Sequence, residues 1–166
     1  MKQITQQEHW FLVNQLLELT EKEVKHLSLT TARIKTLQPN LKWIESLEEK
    51  IEHAEMLDAF VSRFSRLQDT LGDKLLPALL RVSLEKTGSQ LDNLLRAEKL
   101  GWIISAENWI EIRTLRNKLV HEYMDSPPDM LQALITALKN AEILIQTQNK
   151  LAQYATRIQQ TLAHKK

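Results

Sequence analysis

Glycine and proline are scarce in this chain: three glycines and four prolines in 166 residues. They stand as punctuation between long runs in which apolar residues recur every three or four positions. That pattern is the signature of amphipathic helices broken at a few fixed points. Thr5 and Glu8 fit a capping box ahead of a first helix that carries Phe11, Leu12, Leu16, Leu19, Val24 and Leu27 and is expected to fade near Ser28 to Thr31. A short helical connector over Ala32 to Leu37 precedes Pro39. A second main helix is predicted from Leu41 to Leu71, stopping at Gly72, with Trp43, Ile44, Leu47, Ile51, Ala54, Leu57, Val61, Phe64 and Leu67 as its buried stripe. Asp73 is expected to cap a helix over Lys74 to Lys86 in which Pro77 is tolerated near the start. Gly88 and Ser89 introduce a short helix over Gln90 to Leu100, ended by Gly101. Ser105 caps a helix over Ala106 to Tyr123, and Ser126 with Pro127 and Asp129 opens a last helix to Ala163. No alternating run bounded by turn residues speaks for a strand. The expectation is an all-α, up-and-down helical bundle of about five main helices, one domain over residues 1–166.

Hydrophobic residues at 43% and charged residues at 26% are an ordinary globular balance. A net charge of +1 gives no global attraction for nucleic acid, so a bound RNA needs local steering by basic side chains. The absence of cysteine excludes disulfides, thiolate catalysis and cysteine-based zinc sites. No apolar run is long enough to cross a bilayer, and the first eight residues carry no apolar leader core, which gives the expectation of a soluble cytoplasmic protein without a membrane partner.

The chemistry is concentrated in Arg116-Asn117-Lys118-Leu119-Val120-His121-Glu122-Tyr123. On a helix, Asn117 and His121 share a face, Arg113 extends that stripe as a further candidate for binding RNA phosphate, and Arg116 shares a neighbouring stripe with Tyr123. Arg116 and His121 are separated by roughly 140° around the axis, so they suit flanking a phosphate better than bonding to each other. His121 in a last helical turn is favoured as imidazolium, a proton donor to a leaving oxygen; neutral, it takes a proton from a ribose 2′-OH. Arg116 would hold phosphate oxygens and Asn117 would orient the phosphate or the imidazole. One imidazole serves poorly as both acid and base in one turnover, so a site composed of two copies across a homodimer interface is expected. The same residues also read structurally: His121 capping the helix, Arg116 paired with Glu122 or Glu111, and Tyr123 packed on the bundle rim. Arg63 and Arg66, three apart, read either as phosphate-binding groups in the cleft of Arg116 or as partners of Asp58 and Asp69 on their own helix.

The segment from Trp109 to Tyr123 resembles the signature of HEPN domains, in particular the HepT toxins, in which four residues separate an Arg from a His and one residue separates that His from a Tyr. Residues 97–103 and the acidic-Ser-Pro turn after Tyr123 are similar too. The resemblance is clearest over residues 40–150, with the helix over 5–28 an addition. It implies a homodimeric five-helix bundle and a metal-independent, cofactor-free endoribonuclease with Arg116, His121 and Asn117 at its centre. It also implies a cognate minimal nucleotidyltransferase antitoxin that adds AMP to Tyr123, placing charge and bulk where RNA enters. RNA, not DNA, is the implied substrate. Thr114 stands where the family often has Gly. Arg63-Phe64 resembles instead a sister HEPN group of non-catalytic, substrate-binding partners of nucleotidyltransferases, so both readings stand on sequence.

Other chemistries find no support. Glu45, Glu48, Glu49, Glu52 and Glu55 lack the Glu-x-x-His spacing of a di-metal bundle, because His53 has Lys50 at that offset. His9, His26 and His164 have no ligand spacing, and no metal site is expected. Ser62, Ser65 and Ser83 lie in no nucleophile elbow, and there is no glycine-rich phosphate loop. Trp102 and Trp109 sit among apolar neighbours and read as core.

Overall fold

The computed structural model describes residues 5–120 and 126–165. Among these there are helices and no strand: α1 (Gln6–Thr36), α2 (Leu41–Glu45), α3 (Ile51–Asp69), a π-helical turn (Thr70–Leu75), α4 (Leu76–Val82), α5 (Gln90–Lys99), α6 (Ala106–Val120) and α7 (Pro127–Ala163). The all-α expectation holds.

The buried side chains of α1 are Val13, Leu16, Thr20, Glu23, Leu27, Thr30 and Ile34, spaced alternately three and four apart, with Thr31 beside them. Those of α7 include Leu134, Ala137, Ala141, Leu144, Gln148, Leu151 and Ala155 in the same alternation. A seam of this period keeps two long helices in contact along their length at a shallow angle. Their cross-links fix the direction: Asn14 meets Gln159 at 3.1 Å, Thr20 meets Gln148 at 3.2 Å, and Lys35 pairs with Glu142, so the helices are antiparallel. On its other side α1 runs antiparallel to the continuous rod formed by α3, the π turn and α4. Arg63 donates to the His26 carbonyl, Thr70 to Glu23, and Gln6 to the Val82 carbonyl.

Four boundaries differ from expectation, one being that α4 ends at Val82 rather than Lys86, where the Ser83 hydroxyl donates to the Leu79 carbonyl at 2.7 Å. α1 does not fade at Ser28 to Thr31 but continues to Thr36, because the polar side chains there are spent inside the bundle: Thr30 and Thr31 are buried, and the Thr30 hydroxyl bonds to the His26 carbonyl one turn back. The second helix begins only at Ile51. Before it, α2 ends where the Ser46 hydroxyl takes the Trp43 carbonyl at 2.7 Å, and α2 packs on α7 instead. At the other end that helix does not stop at Gly72. It passes through a π turn, in which the Leu76 N–H reaches back five residues to Leu71, and continues as α4 with Pro77 in its first turn. Asp73 is therefore no cap; it lies within the rod. Ile51, placed in the buried stripe by its spacing, is 67% exposed, since it begins the helix outside the packed region.

The remaining punctuation acts as expected. Ser89 and Asp92 form a capping box on α5. Gly101, with φ of 77°, takes the left-handed position after α5 and lets the Trp102 N–H bond the Ala97 carbonyl at 2.9 Å, turning Trp102 into the core. Ser105 accepts from the Asn108 N–H, and Ser126 from that of Asp129. Trp102 and Trp109 are buried. No helix among the described residues is long and apolar enough to cross a membrane.

Candidate functional site

α6 packs against the rod and is anchored by Trp109, Ile112, Leu115 and Leu119 on its buried face. Trp109 rests against Gly72, so the glycine of the π turn sets how closely α6 approaches the rod. The amide of Gln68, oriented so that each end meets a complementary partner, donates to Asp69 Oδ1 at 2.9 Å and accepts from Trp109 Nε1 at 3.3 Å. Buried Gln68 thus fixes the carboxylate of Asp69 from behind.

This packing aligns two acids of the rod with two arginines of α6. Asp69 accepts from Arg116 Nη2 at 2.8 Å, and Asp73 accepts from Arg113 Nη2 at 2.7 Å. Gln90, at the start of α5, joins the second pair: its Oε1 accepts from Arg113 at 2.5 Å and its Nε2 donates to Asp73 at 3.1 Å. Arg116 Nη1 donates to the side-chain oxygen of Asn117 at 3.1 Å. Together with Lys74 these residues line a shallow polar recess of about 480 Å³.

Three cations and two carboxylates leave the recess one positive charge in excess. Arg116 keeps about a quarter of its side chain exposed. A guanidinium has five N–H donors, and Asp69 and Asn117 take one each. Nε of Arg116 is buried and has no partner among the described residues, so the donors left for a ligand are the second hydrogens of the two terminal nitrogens. The group is therefore held in orientation while keeping donors for an oxyanion, and the Asn117 amide nitrogen is a further donor beside it.

The residues singled out from sequence divide as follows. Arg113, Arg116 and Asn117 are brought together. His121 and Tyr123 lie outside the described residues, as does the stretch beyond Val120 of the helix predicted over Ala106 to Tyr123. Arg66 borders a separate groove that shares Asp69 with the recess, and its Nη2 reaches Ser62 at 3.4 Å. Arg63 does not join the cleft of Arg116: it is directed to α1, where it bonds the His26 carbonyl and the Thr30 hydroxyl. The pairing of Arg116 with Glu111 considered from sequence is not made; Asp69 takes that place. Asp69, Asp73, Lys74, Gln68 and Gln90 were not foreseen as site residues. The legible signal was charge spacing, two acids four apart on one helix against two arginines three apart on another, and it becomes meaningful only once the two helices are known to be neighbours.

Compared with protein-family models, with curated proteins and with solved structures, the chain matches none.

Proposed function

We propose that the chain is a metal-independent RNase toxin of the HEPN type that acts in the cytoplasm as a homodimer and is neutralised by a nucleotidyltransferase partner through AMPylation of Tyr123. The observation that carries this reading is the oriented, partly exposed Arg116 at the edge of a net-positive recess. It is braced by Asp69 and Asn117 and stands five residues ahead of His121 in the sequence. In the reaction the ribose 2′-oxygen attacks the adjacent phosphorus and the bond to the 5′-oxygen breaks. A base takes the 2′-OH proton, an acid supplies one to the leaving 5′-oxygen, and a 2′,3′-cyclic phosphate remains. Neutral His121 of one subunit is the base, and protonated His121 of the other is the acid. Arg116 offsets the charge gathering on the non-bridging oxygens.

A second reading is favoured by the neutralisation of both arginines by Asp69 and Asp73. Here the recess holds a nucleotide or another substrate for a separate nucleotidyltransferase and cleaves nothing. One experiment separates the two: incubation of end-labelled RNA with pure protein, with and without chelator. Chelator-resistant cleavage that yields cyclic phosphate ends and is lost in His121→Ala and Arg116→Ala supports the nuclease. Intact RNA together with saturable nucleotide binding supports the binding subunit.

A further inference from the structure

A larger groove opens beside the recess, about 1070 Å³ in volume. One wall is the stripe Leu57, Val61 and Ser65 of α3; the other is made by Leu119 of α6 with Met130 and Leu134 of α7. The floor demands no polar partner, since the Ser65 hydroxyl already bonds the Val61 carbonyl at 2.7 Å. From Leu57 to Asp69 the α3 wall is thirteen residues, whose twelve steps span roughly 18 Å at about 1.5 Å each. That length matches three turns of an apposed helix with apolar side chains at successive i, i+4 and i+7 positions, and exceeds what a compact metabolite fills.

The rim decides the occupant. Glu45, Glu48 and Asp58 are exposed along it, and among the described residues none of them is in an ion pair. Among the described residues Arg66 is the one cation lining the groove, and Asp69, the fourth acid among them, is held by Arg116. Carboxylates around an apolar floor repel a phosphate backbone and attract lysine and arginine. We infer that this groove receives an amphipathic helix of a partner protein whose apolar stripe is flanked by basic residues. Such a helix lies against Asp69, the residue that braces Arg116, so its docking is felt at the recess. The inference does not depend on the nuclease reading.

The test uses the full chain and two synthetic sixteen-residue helical peptides with the same leucine stripe, one flanked by lysines and one by glutamates, followed by fluorescence anisotropy. The lysine peptide binds saturably at one per chain, and the glutamate peptide binds at least about tenfold more weakly. In E45K/E48K/D58K, whose changes are all exposed, that preference inverts. Ser62→Trp, which fills the groove from its exposed edge, abolishes binding, whereas Glu107→Lys, at an exposed position away from the groove, does not. Circular dichroism confirms that each variant folds, and the surface triple variant decides the matter if Ser62→Trp does not. The inference is overturned if neither peptide binds, if both bind alike, or if charge reversal leaves the preference unchanged. Displacement of the lysine peptide by single-stranded RNA also overturns it, assigning the groove to nucleic acid.

Discussion

The indole of Trp109 occupies the space that a side chain on Gly72 would need: a Cβ built on Gly72 falls 2.7 Å from Trp109 Nε1 and 3.1 Å from Cε2. The glycine lies in the π turn of the rod and the tryptophan on the buried face of α6, so this contact sets the separation of the two elements that carry Asp69, Asp73, Arg113 and Arg116.

Gly72→Ala is therefore destabilising, although alanine is intrinsically the better helix residue by about 1 kcal/mol. Trp109 is 1% exposed and has no free space in which to retreat. Overpacking of this kind costs about 1 to 3 kcal/mol, and the net loss appears as a lowered denaturation midpoint with an unchanged m-value. Because the shift moves α6 relative to the rod, the same variant weakens whatever the recess binds. Equal or greater stability in Gly72→Ala would show that the indole moves freely.

Glu23 gives a pH dependence. It is buried in the seam between α1 and the rod, where Thr70 donates to one oxygen at 3.1 Å and the other oxygen has no partner among the described residues. Burial raises its carboxyl above the ordinary 4.5, outweighing the Thr70 hydrogen bond and the fields of Arg66 and Lys74; nearby Asp69 adds to the rise. A raised acid binds its proton more tightly folded than unfolded. Its stabilising contribution is therefore complete below the unfolded value and is lost as pH climbs through the folded one. Glu23→Gln keeps a neutral amide in place and removes that loss. In chemical denaturation followed across pH, the variant gains on the wild type above about pH 4.5, and the gap widens until Glu23 is fully ionised. A constant difference across pH would place the charge in solvent.

The long-range order of this bundle was legible wherever local chemistry decides it. The capping residues Thr5, Ser89, Ser105 and Ser126 each sit where their side chain satisfies an orphan amide, and Gly101 supplies the left-handed residue that ends α5. Gly72 misled because glycine weakens a helix by only about 1 kcal/mol, which tertiary packing against Trp109 overrides. The polar seam of α1 was hidden for a related reason. Thr20, Glu23, Thr30 and Thr31 look solvent-facing by type and are buried, because Gln148, Thr70 and Arg63 come from distant segments to meet three of them. At the site, Arg113, Arg116 and Asn117 were readable as a helical stripe. Their acidic braces belong to a helix some forty residues earlier, and no one-dimensional period connects the two.

Arg116 separates stability from chemistry. Its ion pair with Asp69 is partly solvated, with side-chain exposures of 25% and 40%. Pairs of that kind contribute about 0 to 1 kcal/mol, so Arg116→Ala leaves the denaturation midpoint nearly unchanged. If the guanidinium stabilises a developing oxyanion, the same substitution lowers RNA cleavage by about 100-fold or more. Arg116→Lys retains the charge but loses the fork that spans Asp69 and Asn117, and recovers little of the rate. A drop in stability without a drop in cleavage would reduce Arg116 to a strut between α6 and the rod.

Arg113 and Arg63 are predicted to part company although both are cations raised by the sequence for phosphate binding. Arg113 lines the recess next to Arg116, whereas Arg63 spends its donors on the His26 carbonyl and the Thr30 hydroxyl of α1. Removing a phosphate contact weakens binding at every sequence and flattens the salt dependence by about 0.7 in the logarithmic slope for a single strand. Arg113→Ala should show both effects in titrations of single-stranded RNA from low to moderate salt. Arg63→Ala should show neither; instead it leaves the Thr30 hydroxyl oxygen without its donor at the α1–α3 interface, while the His26 carbonyl keeps the Thr30 hydroxyl, and costs about 1 kcal/mol of stability. The reverse pattern, with Arg63 shaping the salt slope and Arg113 only the stability, would move the anion-binding face from α6 to the junction of α1 and α3.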